Sequence, residues 1–149
     1  MTMPLAQKIT EDLKKAIKAK DELPKSCLRM LKTALKNRQV EVGHELNDEE
    51  IHKIISSLIR KGQEAAKEFS QGGRKDLVDR EEEEIKILYS YLPEQLNVHD
   101  IEKKIKEIIS EVSADSLKDL GKVMKIAMGQ LAGKAQGREV NEIARRLLS

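Results

Sequence analysis

Residues 129–141, GQLAGKAQGREVN, combine three glycines with three charged side chains. Glycines beside a lysine are typical of loops whose backbone N–H groups hold nucleotide phosphates, as in the pattern G-x-x-x-x-G-K-[ST]. Here only three residues separate Gly129 from Gly133, and Ala135 replaces the Ser or Thr that would coordinate magnesium. The preceding segment is helical in its periodicity, whereas phosphate and dinucleotide loops follow a buried strand. The sequence therefore excludes both kinds of nucleotide loop.

Two other interpretations of these glycines stay open. Gly133 fits the end of a helix and Gly137 the turn before the next one, whereas Gly121 and Gly129 lie inside a predicted helix. A glycine inside a helix costs about 1 kcal/mol relative to alanine. That cost is tolerated where backbone approaches another helix or a sugar–phosphate chain. We name Gly121, Gly133 and Gly137 as candidate points of such approach.

Six basic side chains surround the glycines and can neutralise phosphates: Lys122, Lys125, Lys134, Arg138, Arg145 and Arg146. Ordinary solvation of a helix face is the alternative interpretation of each. Residues 95–149 contain no aromatic side chain, which disfavours single-strand recognition by base stacking. Structured RNA recognised through its shape and backbone is compatible with this composition.

The remaining reactive residue types give no catalytic or metal site. Cys27 is the single cysteine, which excludes an internal disulfide and suits a reducing compartment. No histidine stands near it in a recognisable pattern, so we interpret Cys27 as a small buried side chain on a helix. The four glutamates at 81–84 point in different directions on a helix and form a solvated face. We predict no catalytic residue, metal or other cofactor.

The elements that position these residues are all helical. Apolar residues recur at helical spacing and nowhere alternate long enough for a strand, which predicts an all-α fold. We expect four helices in residues 1–93, which form an N-terminal lobe, and three in residues 94–149, which form a C-terminal lobe. The fourth helix is predicted to run from about Lys75 to Tyr91.

Several boundaries follow from local signals. A turn is predicted at 21–23, and Gly72 is predicted to end the third helix in the left-handed conformation. Four polar side chains are predicted to cap helix starts: Asn47, in a capping box with Glu50, followed by Asn97, Ser116 and Asn141.

The charge of the chain is unevenly distributed, although its net value is only +2. Residues 1–42 contain ten Lys and Arg against five Asp and Glu, and residues 43–94 contain eight against thirteen. Residues 95–149 contain ten against eight. Either the first two segments pack against each other, or a basic face serves a polyanion.

No segment approaches the about 20 apolar residues that a membrane span requires. Acidic residues in the first twenty positions are unlike a secretory signal. We therefore predict a cytoplasmic protein that does not enter a membrane, and leave its oligomeric state open.

Three motifs in this order resemble the YqeY family: YLPEQL at 91–96, LGKVMK at 120–125 and GKAQGREVN at 133–141. The segment RMLKTALKN at 29–37 fits as well, so the resemblance covers nearly the whole chain. Lys134 and Gln136 stand where the family usually has arginine and aspartate.

This family is related to the tail domain of the B subunit of glutamine-dependent aspartyl/glutamyl-tRNA amidotransferase. In that enzyme the tail helps to hold the tRNA, while amidation takes place in other domains. The resemblance implies the division into four and three helices, and tRNA or a tRNA-containing complex as the partner. It implies kinship to a carbon–nitrogen ligase and supplies no catalytic residue.

Three classes of function are compatible with the sequence to different degrees. Our leading prediction is a non-catalytic helical module that binds tRNA through its basic C-terminal surface. The alternative is a protein–protein adaptor that docks through acidic residues 43–94 or through the methionine-containing sixth helix, whose Met124 and Met128 we predict to lie in the core. The third is a glutamine-dependent amide-forming enzyme, which would need a nucleophile, an ammonia source and an ATP site that the chain does not show.

Overall fold

The computed structural model describes residues 3–149. Within this range the chain forms seven α-helices and one short 3-10 helix, and none of these residues lies in a strand. The all-α fold class predicted from the sequence is therefore confirmed. The α-helices are α1 (Leu5–Ala19), α2 (Glu22–Val42), α3 (Asp48–Gln71), α4 (Lys75–Tyr89), α5 (Val98–Val112), α6 (Leu120–Leu131) and α7 (Gly137–Leu148).

The helices group into two compact units. The first unit ends at Leu92 and contains α1–α4, whereas the second, Pro93–Ser149, contains α5–α7 and the 3-10 helix Leu117–Asp119. Among the helices of residues 3–149, none combines the length and the apolar character needed to cross a membrane.

The first unit is built on isoleucine and leucine stripes. On α3, Ile51, Ile55 and Ile59 follow one another at intervals of four residues and are completely or almost completely buried. Each such side chain contributes about 1.5–3 kcal/mol through burial. Their partners in the core come from the other three helices and the end of the unit: Leu5, Ile9, Cys27, Leu28, Leu31, Leu88 and Tyr91.

Two predicted details of the first unit are wrong, namely the turn at 21–23 and the conformation of Gly72. There is no turn at 21–23, since α2 begins at Glu22. Pro24 then lies in the first turn, where backbone N–H groups lack intrahelical acceptors and proline is tolerated. Gly72 is not left-handed, because its φ is −84°, and the positive φ of 72° falls on Gly73. The end of α3 is nevertheless where it was predicted, since the helix ends at Gln71 and Gly72 is its C-terminal cap, and only the left-handed residue is shifted by one position.

The predicted capping box at the start of α3 is confirmed. The Asn47 side chain accepts the Glu50 backbone N–H over 2.8 Å, and the Glu50 carboxylate accepts the Asn47 backbone N–H over 3.1 Å. Asn97 likewise caps α5, since its side chain accepts the Asp100 N–H over 2.8 Å. Ser116 caps the 3-10 helix, which leads directly into α6.

The predicted start of α7 at Asn141 is wrong, since the helix begins four residues earlier at Gly137. Asn141 lies inside the helix and accepts a hydrogen bond from Nε of Arg145 over 2.9 Å. Val140 is completely buried together with Ala144, one turn later. Val140 is buried in the core of the second unit as part of the first turn of α7, so the helix begins before Asn141.

The segment before α5 fixes the turn between α6 and α7. The side-chain amide of Gln95 donates to the carbonyl oxygens of Pro93 and Gly133 over 2.9 and 2.6 Å. The backbone N–H of Leu96 donates to the carbonyl oxygen of Lys134 over 2.9 Å. Two of the three sequence motifs therefore contact each other through backbone hydrogen bonds.

The charge asymmetry of the first unit is not neutralised by ion pairs between its halves. Every ion pair found in residues 3–92 joins two members of 1–42 or two members of 43–94. The excess of Lys and Arg in α1 and α2 therefore stays on their surface.

Candidate nucleic-acid interface

One face of α6 carries two lysines and two glycines. The opposite face is buried through Val123, Ala127 and Leu131, which recur every four residues. Four exposed residues share the outward face, and we call them the α6 stripe: Gly121, Lys122, Lys125 and Gly129. At 3.6 residues per turn, these four positions fall within an arc of about 100° on the side opposite the buried residues.

The two glycines of the α6 stripe are not explained by helix packing. Apart from its chain neighbours and the nearby backbone of α6 itself, a Cβ atom built on Gly121 or Gly129 would have no heavy atom of residues 3–149 within 4 Å. Each glycine still weakens the helix by about 1 kcal/mol relative to alanine. The interpretation of these two positions as helix–helix contacts is therefore wrong. The backbone of α6 is open to an approaching molecule at both.

The other two glycines have roles within the unit. Gly133 is buried with φ of 79°, a conformation that favours glycine, and its carbonyl accepts the hydrogen bond from Gln95. Gly137 begins α7, and a Cβ there would lie 3.6 Å from Cε of Met128. Sequence reasoning proposed both for backbone approach and omitted Gly129. The eight-residue spacing from Gly121 is the signal that would have included it.

The six predicted basic residues are all exposed, and they are distributed over α6, the turn that follows it and α7. The ion pairs found within residues 93–149 leave Lys122, Lys125 and Lys134 without a carboxylate partner. Lys134 lines a shallow depression together with Lys103 and Lys104 of α5. Asp100 and Glu107 line the same depression, so its charge is mixed.

The arginines of α7 are engaged to different degrees. Arg138 pairs with Glu142 over 3.8 Å on the exposed face of α7. Nη2 of Arg146 lies 3.4 Å from Oε1 of Glu102 on α5, which turns this side chain towards the neighbouring helix. Arg145 donates to Asn141 and has no carboxylate partner among the ion pairs found in this unit. Exposed pairs are worth about 1 kcal/mol or less, so a phosphate can displace the glutamate at Arg138.

The prediction that Met124 and Met128 of α6 belong to the core is confirmed. Met124 and Met128 are half-buried and pack against the buried cluster of the second unit. They are therefore not an exposed methionine surface for a partner helix.

The structure shows that Cys27 is a buried side chain, as predicted. Cys27 is 1% exposed, and its thiol donates to the carbonyl oxygen of Glu84 over 3.7 Å. Burial and the nearby carboxylates of Glu84 and Glu81 raise the pKa of the thiol to about 12. At neutral pH it is protonated and inaccessible, as a structural side chain is. Within residues 3–149, no cluster of His, Cys, Asp and Glu has a geometry that could hold a metal ion.

The molecule is thus an all-α protein of two helical units, one of which carries an exposed helix lined by glycine and lysine. The Yqey-like protein family matches residues 6–148 of the chain, and the chain belongs to this family. The resemblance drawn from the three motifs is confirmed.

Similar proteins come from yeasts and share one description, "Altered inheritance of mitochondria protein 41, mitochondrial". The protein of Lachancea thermotolerans is 37% identical over 70% of this chain and 57% of its own length. That of Saccharomyces cerevisiae is 31% identical over 83% of this chain and 65% of its own. That of Clavispora lusitaniae is 29% identical over 86% and 76%. The chain thus spans less than two thirds of the first two relatives.

The predicted cytoplasmic location is contradicted by these relatives. Their descriptions place them in mitochondria and so point to that compartment. The composition from which we made the prediction reports solubility and redox environment, which do not distinguish the two compartments.

Proposed function

We propose that the second unit is a non-catalytic module that binds tRNA, and that the α6 stripe contacts the sugar–phosphate backbone. One observation carries the proposal: two solvent-open helical glycines stand on either side of two exposed lysines that have no carboxylate partner. This combination weakens the isolated helix, and it suits a surface that a polyanion approaches closely.

The lysines and the glycines of the α6 stripe contribute to this binding in different ways. Lys122 and Lys125 neutralise phosphates and release the counterions condensed on them. Gly121 and Gly129 lack the Cβ that would hold a ribose or phosphate away from the helix, so backbone and side chains bind together. Arg138 and Arg145, on the exposed face of α7, add positive charge to the same unit.

Structured RNA is favoured over single strands by the same unit. Residues 93–149 contain no Phe, Tyr or Trp, the side chains on which bases most often stack. The lysines read charge and shape, which matches folded RNA recognised through its backbone. The resemblance to the amidotransferase tail, which holds tRNA, selects tRNA among structured RNAs.

The test is binding of the full chain to bulk tRNA at about 50 mM and about 200 mM salt. We expect binding that weakens steeply with salt. In a Lys122→Ala/Lys125→Ala variant, the slope of log affinity against log salt should fall by about 1.5 to 2. The matched control is Lys15→Ala/Lys18→Ala, because these exposed lysines on α1 have the same spacing.

No binding at low salt would refute the proposal. Equal losses in the two double variants would also refute it, since they would show dependence on total charge and not on the α6 stripe.

A further inference from the structure

A groove lies on the first unit. The first turns of α1, the C-terminal half of α2 and the turn at 43–45 enclose about 670 Å³. The lining exposes more apolar than polar surface, and it includes the buried Ile9 and Leu35, which packs against the same core cluster. This volume falls within the range of about 300–1,000 Å³ that is typical of binding sites.

The helix that forms one wall of the groove is unusually exposed. Six consecutive residues of α2, 36–41, are all solvent-exposed. Six residues cover more than one full turn, so no side of this part of the helix is buried within the first unit. Val40 is 76% exposed there and lines the groove, which continues the apolar lining onto the projecting turn.

The charge along the same wall is positive and uncompensated. Lys32 and Lys36 both line the groove, four residues apart on α2. Neither is among the ion pairs found in residues 3–92. On the opposite rim, Nδ1 of His44 lies 2.8 Å from the carbonyl oxygen of Glu45, and Nε2 lies 3.9 Å from Glu50. The rim of α2 is therefore the one that lacks a charge partner.

We propose that this groove binds a short amphipathic helical segment of a partner protein, with its acidic residues beside Lys32 and Lys36. Apolar side chains of the segment, at helical spacing, fill the space over Leu35 and Val40. Its carboxylates pair with the two lysines and fix the orientation. An apolar floor with a basic edge fits such a helix better than a nucleic acid, whose interfaces are more polar. The inference does not rest on the tRNA proposal.

The probe is a displayed library of peptides of about sixteen residues with leucine or isoleucine at helical spacing and Glu, Lys, Gln or Ser elsewhere. Selected against the full chain, it should yield peptides that carry glutamates on one flank of the apolar stripe. Amide resonances of residues 35–45 should shift when the selected peptide is added to the ¹⁵N-labelled chain.

Two variants test the residues involved. Affinity for the selected peptide should fall about ten-fold or more in Lys32→Glu/Lys36→Glu. A peptide with its glutamates changed to lysine should regain binding to this variant. Val40→Gln, which keeps the charge, should also weaken binding. The control, Lys14→Glu/Lys18→Glu, changes two exposed lysines of α1 at the same spacing and should bind as the native chain does.

The other occupants are distinguishable outcomes that would overturn the proposal. Selection of basic peptides would show that the groove does not bind acidic helices. An equal loss of peptide affinity in Lys14→Glu/Lys18→Glu would show the same. A concentration-dependent dimer abolished by Val40→Gln would assign the groove to a second copy of the chain. Loss of tRNA binding in Lys32→Glu/Lys36→Glu, with peptide binding intact, would assign the basic rim to nucleic acid.

Discussion

The phenol oxygen of Tyr91 lies 2.6 Å from Oδ2 of Asp12 and donates a hydrogen bond to it. This bond ties the end of the first unit to its first helix. Nζ of Lys8 lies 3.6 Å from the same carboxylate oxygen and 5.1 Å from the centre of the Tyr91 ring. Burial and the Asp12 carboxylate raise the pKa of the Tyr91 phenol well above its usual range, so the donor stays protonated.

We expect Tyr91→Phe to lower the free energy of unfolding by about 1.5–3 kcal/mol, the usual value of a hydrogen bond to a charged group. The ring and its burial are kept, so the loss isolates the hydroxyl group. Urea unfolding at neutral pH measures the change. Tyr89→Phe is the control, because Tyr89 is half-buried and makes no side-chain hydrogen bond within residues 3–149. Similar losses in both variants would mean that the bond to Asp12 is not the cause.

The open glycines of α6 predict opposite changes in stability and binding. We expect Gly121→Ala and Gly129→Ala each to stabilise the second unit by up to about 1 kcal/mol, because the added methyl meets no neighbour. The same substitutions should weaken tRNA binding, because the methyl separates backbone from phosphate. Thermal unfolding and tRNA titration of the same preparations measure both effects. Variants that are more stable and bind tRNA as before would leave the glycines without a role in binding.

A third helical glycine should behave differently. A Cβ on Gly62 would lie 3.1 Å from Cγ1 of Ile85 and 3.3 Å from Oε2 of Glu81, where α3 packs against α4. Crowding of this kind costs about 1–3 kcal/mol, which exceeds the gain in helix propensity. We therefore expect Gly62→Ala to be neutral or to destabilise the first unit by up to about 2 kcal/mol, as measured by urea unfolding.

A double-mutant cycle tests this explanation of Gly62. Because Ile85→Ala removes the nearest crowded atoms, the cost of Gly62→Ala should shrink or change sign in its background. An unchanged cost in that background would place the strain elsewhere.

Cys27 predicts a fall in stability at alkaline pH. Its pKa is raised from 9.0 in the unfolded chain to about 12 in the fold, so the unfolded thiol ionises first. The stability that this thiol contributes is complete below about pH 9 and decreases as the pH rises towards about 12. Tyr91 acts in the same direction, so the native chain must be compared with Cys27→Ala.

The comparison is made by urea unfolding between neutral pH and the alkaline range. We expect Cys27→Ala to cost about 1 kcal/mol at neutral pH through the lost packing, with a smaller decline as the pH rises. Parallel curves for the two proteins would contradict the assignment. A thiol reagent should react with the native chain only as fast as it unfolds.

Sequence reasoning succeeded where the determining interactions are local. The all-α class and the caps at Asn47 and Asn97 depend on periodicity and on hydrogen bonds that span three residues. The three motifs were enough to find the family. Where a tertiary contact competed, local signals failed: burial of Val140 starts α7 before Asn141, and the polar side chain there caps nothing.

In the candidate site, too, some features follow from the local sequence and others only from tertiary contacts. Its basic residues and glycines were visible as types and spacings, and their exposure follows from the helical period. Which glycines stay open and which arginines are engaged required the packing of three helices. Gly137 meets Met128, and Arg146 meets Glu102 forty-four positions earlier in the chain. The local sequence sets which face of each helix is apolar, whereas only the folded chain decides what each polar face meets, because that depends on residues distant in sequence.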